Sequence, residues 1–224
     1  MTEVLSAHDV AMKFDQKYVF KDVDFVLEQG TKTALLGENG SGKTTLTRII
    51  LGMLEPTAGS VKLGEIKGRP VQIGYVPQFR EIDRDYPLSI ASFVELNGPR
   101  FKNKAYQARV ADVMEKTHLT KIAGERLGKA SGGQRQRAYL AQALMDDPDL
   151  IILDEATASL DPMSKKTLLE MLDELNRTEG MTILFTTHDL ELAHTYMTDY
   201  LLLGPDGMKS GKMRDFDYHD LEVE

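Results

Sequence analysis

Short apolar runs alternate with stretches in which apolar residues recur every three or four positions. Val23–Leu27, Thr33–Leu36, Ile73–Val76, Leu150–Leu153, Thr182–Thr186 and Tyr200–Leu203 read as strands. Several are apolar almost throughout, the pattern of strands buried on both faces of a parallel sheet. Thr44–Leu54 has helical spacing and follows one such run. Pro162–Arg177 follows another and puts Leu168, Leu172 and Leu175 on one face. Strands alternating with helices predict an α/β fold with a mainly parallel sheet.

Two regions depart from this rhythm. The first thirty residues are short polar and apolar pieces broken at Asp15-Gln16-Lys17 and Glu28-Gln29-Gly30, which predicts an antiparallel portion of sheet. Residues 79–130 contain no clear strand. Tyr106, Val110, Val113, Met114 and Thr117 form a helical stripe there, and Ser89–Leu96 reads as a second helix. This segment is expected to be a helical subdomain set between the core segments 1–78 and 131–224. No repeat, low-complexity tract or long heptad run occurs, so the chain reads as one domain.

Composition narrows the function classes. The 224 residues are 42% hydrophobic and 28% charged, as in an ordinary globular domain with its own core. There is no cysteine, which excludes disulfides and thiolate metal sites. Lys and Arg number 27 against 35 Asp and Glu, a formal charge of −8. That balance argues against a nucleic-acid partner held by phosphate neutralisation. No stretch approaches the ~20 apolar residues of a membrane span. The N-terminus lacks the basic-then-apolar pattern of a signal peptide. A cytoplasmic location is expected, with any role at a membrane exercised through a partner.

Chemistry enters at Gly37-Glu38-Asn39-Gly40-Ser41-Gly42-Lys43-Thr44, which fits G-x-x-x-x-G-K-[ST] in full. It lies between a strand and a helix, where glycines let successive N–H groups face phosphate oxygens and the helix start adds positive potential. Lys43 is expected at the β- and γ-phosphates and the Thr44 hydroxyl at Mg²⁺, with Thr45, next in the first helical turn, also expected to bind ATP. A chance Gly-rich turn would rarely have both flanks correct. Downstream, Leu150–Leu153 ends in Asp154-Glu155. After a phosphate loop, such an Asp is expected to hold Mg²⁺, and Glu155 to accept a proton from an attacking water. Without that loop, two solvated acids at a strand end would be the better reading. None of His8, His118, His188, His194 and His219 has metal-ligand spacing, so no transition-metal site is expected.

Further motifs carry a family. Ala130-Ser131-Gly132-Gly133-Gln134 resembles the LSGGQ signature of ATP-binding cassette (ABC) ATPases. Tyr75-Val76-Pro77-Gln78 is similar to their Q-loop, Ser159-Leu160-Asp161 to the D-loop, and His188 to the switch histidine. The resemblance spans roughly residues 4–204 and departs at Ala130, where the signature has Leu. It implies a P-loop NTPase core and two cassettes closing head to tail, with ATP between one phosphate loop and the other's Ser131–Gln134. It implies Gln78 at Mg²⁺ and the attacking water, His188 at the γ-phosphate, Asp161 touching the opposite subunit and Phe14 stacking on adenine, with Tyr18 and Phe20 as alternatives. Arg135 and Arg137 are expected to strengthen the positive field at the signature. As isolated features, Ser131 and Asp161 read equally as helix N-caps, and capping can coexist with these roles.

The family implies transmembrane permease partners met through the helical insertion, and an extracytoplasmic substrate-binding protein at the level of the whole system. The chain would sit peripherally on the inner face of the membrane. Gly74–Gln78 with Ile82–Ile90 resembles the corresponding stretch of zinc, manganese and iron uptake cassettes, so a metal cation is the expected cargo and import the expected direction. The competing readings are a soluble ABC ATPase acting on the ribosome or DNA, and a nucleotide sensor that does not turn over. No second cassette or long coiled coil supports the first, and Glu155 with His188 speaks against the second.

Overall fold

Apolar residues gather on both faces of a six-stranded sheet, alternating residue by residue along its central strands. The computed structural model describes residues 2–78, 82–99, 101–205 and 207–217. Its strands are β1 (Glu3–Phe14), β2 (Lys17–Glu28), β3 (Lys32–Leu36), β4 (Ala58–Leu63), β5 (Glu65–Ile66), β6 (Arg69–Pro70), β7 (Ile73–Val76), β8 (Leu150–Asp154), β9 (Thr182–Thr186), β10 (Asp199–Gly204) and β11 (Gly207–Lys212). Its α-helices are α1 (Lys43–Ile50), α2 (Ile90–Val94), α3 (Lys104–Lys116), α4 (Gly132–Leu144), α5 (Pro162–Glu179) and α6 (Leu190–Tyr196).

The large sheet runs β11-β10-β3-β9-β8-β7, parallel except for β11 at its edge. Leu36, Ile151, Leu153, Ile183, Phe185 and Leu202 face a core shared with α2 to α6. Their neighbours Leu35, Leu150, Ile152, Leu184, Leu201 and Leu203 face a second core, which α1 and the antiparallel sheet β2-β1-β4 close. The period of two along each strand serves both layers at once.

The antiparallel portion is the β1–β2 hairpin, turning at Asp15 (φ 52°), with β4 on the other side of β1. Neither β4 nor β11 was anticipated. Both lie at sheet edges and bury little side chain, so neither carries an apolar run. The first helix is shorter than its apolar spacing predicts. It ends at Ile50, where Gly52 (φ 68°) lets Gly52 N reach Ile49 O at 3.0 Å and Met53 N reach Arg48 O at 2.9 Å. This paired closure stops a helix whatever apolar residues follow.

Between β7 and α4 the described residues hold helices and turns. Ser89 caps α2 and Asn103 caps α3, each accepting from a backbone N–H three residues on. Ile90, Phe93, Val94, Val113, Met114, Leu119 and Leu127 all join the core that covers the sheet. Ala130 is buried in that core too, so the position that departs from the signature packs against its neighbours.

Candidate functional site

The phosphate loop joins β3 to α1. Gly37, Gly40 and Gly42 take φ values of 148°, 86° and 100°. Gly42 has two reasons to be glycine. Its backbone is left-handed, and a β-carbon there would lie 2.6 Å from Val19 Cγ1 and 2.8 Å from Phe20 Cδ1. The hairpin therefore braces the loop. Gly42→Ala should cost about 2–4 kcal/mol, combining left-handed strain with overpacking. A urea titration of the nucleotide-free chain measures it.

As N-cap, Gly42 offers α1 no side-chain acceptor. Among the described residues the amides of Thr44 and Thr45 have no backbone acceptor either, and the first helical bond runs from Leu46 N to Gly42 O at 2.8 Å. Such a helix start favours an anion. Ser41 Oγ is buried with no hydrogen-bond partner among those residues. Lys43 Nζ donates to Gly37 O and Glu38 O, both at 2.8 Å. Burial pulls the Lys43 ammonium below its ordinary pKa, and the carboxylates of Glu155 and Asp154 oppose that shift. Glu38, Asn39 and Gly40 form the exposed crest of the loop.

The carboxylates stand together at the C-terminal end of β8, between its parallel neighbours β7 and β9. Asp154 closes β8 and is buried. Thr44 Oγ1 lies 3.4 Å from its Oδ1, and the Tyr75 hydroxyl 3.5 Å from its Oδ2. Desolvation raises the Asp154 pKa, nearby Glu155 adds to the rise, and the Thr44 hydroxyl counters it. Glu155 is half-buried in left-handed backbone (φ 45°), with its N–H on Thr186 O at 3.1 Å. Its Oε2 accepts from Gln78 Nε2 at 3.2 Å. The two acids thus occupy different environments, but not by strand alternation: Glu155 has left β8, and its left-handed backbone turns it away from Asp154.

His188 is exposed at the end of β9, beside Asp189, the N-cap of α6. Asp189 is held in turn by Lys165 Nζ at 3.2 Å. Ser131 caps α4 in a full capping box with Gln134: Gln134 N donates to Ser131 Oγ at 3.2 Å, and Ser131 N to Gln134 Oε1 at 2.7 Å. The amides of Gly132 and Gly133 precede the first α4 bond, Arg135 N to Ser131 O. Asp161 caps α5, with Pro162 at the first helical position. Among the described residues no hydrogen bond joins residues 131–134 to the phosphate loop of the same chain.

Three expectations are refined. Phe20 is wholly buried against the loop, which removes it as a surface stacking residue. Phe14 and Tyr18 are each 51% exposed near the same hairpin tip. Arg137 turns its guanidinium away from the signature, donating to Thr117 O and His118 O at the end of α3. His219 lies outside the described residues; among those residues no three His, Asp or Glu gather as a metal cluster. The motifs gave no hint of Gln136, fully buried on α4, whose Nε2 donates to Pro77 O at 3.2 Å beside Gln78.

A family model described as ABC transporter matches residues 20–158. The chain belongs to the ABC transporter family. This ABC ATPase is 31% identical to the zinc uptake system ATP-binding protein ZurA of Listeria innocua serovar 6a, over 100% of this chain and 92% of that protein. It is 36% identical to the manganese transport system ATP-binding protein MntA of Synechocystis sp., over 88% of this chain and 80% of that one. Its fold is similar to that of cbiO1 from Clostridium perfringens, part of the ABC transporter complex cbiONQ. The TM-score is 0.83 and the identity 25%, over 96% and 90% of the two chains. The cassette binds and hydrolyses ATP, and no helix among the described residues is long and apolar enough to cross a membrane.

Proposed function

We propose that this ABC ATPase drives import of a divalent transition-metal cation, zinc or manganese, through partner permeases. The single observation that carries the cargo is the similarity to a zinc uptake ATPase along the whole chain, joined by that to a manganese transport ATPase. Glu155, beside Gln78, takes the proton as water attacks the γ-phosphorus and the bond to ADP breaks. Lys43 and the amides at the start of α1 offset charge on the transferring oxygens. Thr44, Asp154 and Gln78 offer the hard oxygen donors that Mg²⁺ prefers. When bound, that ion neutralises charge on the β- and γ-phosphates. Phe14 stacks on adenine. His188 binds the γ-phosphate.

Two copies close head to tail, each offering Ser131, Gly132, Gly133 and Gln134 to the other's nucleotide and Asp161 to the other's site. This reading is supported by the open amides at the start of α4 and their lack of contact with the chain's own loop. The chain sits peripherally on the inner face of the membrane, in a system with an extracytoplasmic substrate-binding protein. The helical subdomain, about residues 79–130, docks on the permease.

Phe101 is 85% exposed and Leu96 49%, next to the Lys102–Glu95 ion pair that closes their loop. Phe101→Asp should lower metal uptake roughly thirtyfold, the cost of a lost aromatic anchor worth about 2 kcal/mol, at unchanged thermal stability. Uptake of radiolabelled Zn²⁺ and Mn²⁺ by cells with and without this chain tests the cargo. Uptake of both ions unaffected by its removal would overturn it.

A further inference from the structure

Ser164, in the first turn of α5, touches two functional segments at once. Its backbone N–H donates to Asp161 Oδ1 at 3.0 Å, and its hydroxyl to Asp161 Oδ2 at 2.6 Å. An N-cap needs only the first of these bonds. The second fixes the rotation of a carboxylate that would otherwise turn in solvent. Both hold the Asp161 carboxyl below the usual carboxylate range. On its other side Ser164 presses on the signature. A β-carbon on Gly133 would lie 2.4 Å from Ser164 Oγ and 2.8 Å from Ser164 Cβ, so α4 and α5 meet there without a gap. Next in the chain, Lys165 holds Asp189 beside His188.

We propose that Ser164 is a positioning residue for ATP turnover: its hydroxyl locks Asp161 to the glycine start of α4, so that both segments move as one body when two chains close on ATP. The inference rests on the composite site proposed above. It gives Ser164 no contact with nucleotide.

The test uses the full chain and Mg²⁺-ATP. Alanine keeps the backbone bond to Asp161 and removes only the hydroxyl. Ser164→Ala should lower kcat about tenfold, the scale of one charge-assisted hydrogen bond, with KM for ATP moving less than about twofold. In an Asp161→Ala background the same change should add less than about twofold. An unchanged kcat, a loss carried by KM, or an equal loss in both backgrounds would overturn the proposal.

A second measurement covers a poorly folding variant. ATP-dependent association of Glu155→Gln, followed by size-exclusion chromatography, should weaken about tenfold on adding Ser164→Ala. If Glu155→Gln does not associate, the composite site falls and this inference with it. If it associates equally well with Ser164→Ala, this inference alone falls.

Discussion

Glu155→Gln should lose ATP turnover by a factor of about 10²–10⁴, the usual contribution of a positioned general base. The amide keeps the size of the side chain and can still meet Gln78, which lies 3.2 Å away. It cannot take a proton from water. Binding and turnover should therefore separate: nucleotide affinity stays, phosphate release stops, and the ATP-bound dimer accumulates. Phosphate release and size-exclusion chromatography on one preparation measure both. Turnover within a few fold of wild type would remove Glu155 from the base role.

Lys43→Ala should weaken binding itself. The ammonium is buried, holds two carbonyls of its own loop and lies near Asp154 and Glu155. A hydrogen bond to a charged group contributes about 1.5–3 kcal/mol, so ATP affinity should fall roughly 10–100-fold, read by equilibrium titration with a fluorescent analogue. Lys43→Arg should not rescue it, because a rigid planar guanidinium does not fit where a compact ammonium is enclosed. Undiminished affinity would place the phosphates elsewhere. Ser131→Ala is a cleaner probe of the contact between chains than any change at Gly133, since a side chain at 133 would first strike Ser164 of its own chain.

The sequence was legible where one residue type answers to one force. Leu150 to Leu153 are apolar because both faces of β8 are covered, and the phosphate loop is contiguous, so its chemistry can be read in a line. Edge strands β4 and β11 escaped because pairing at an edge asks for backbone, not for apolar side chains. The end of α1 was overrun because apolar spacing continues past Gly52. Arg137 shows that a charge near a motif in sequence can point along another helix in space. Gln136 and Ser164 act across elements far apart in the chain, and no spacing rule reports that distance. The adenine-stacking residue was narrowed only by burial, which sets Phe20 apart from Phe14 and Tyr18.

Glu155 occupies left-handed backbone that costs a non-glycine residue roughly 1–2 kcal/mol. Evolution in the laboratory toward heat resistance alone would gravitate to this position. Glycine or asparagine there relaxes the backbone, and its carriers would survive each round as hardier, inert proteins. Libraries of this chain need a turnover readout at every cycle, or selection will discard the carboxylate.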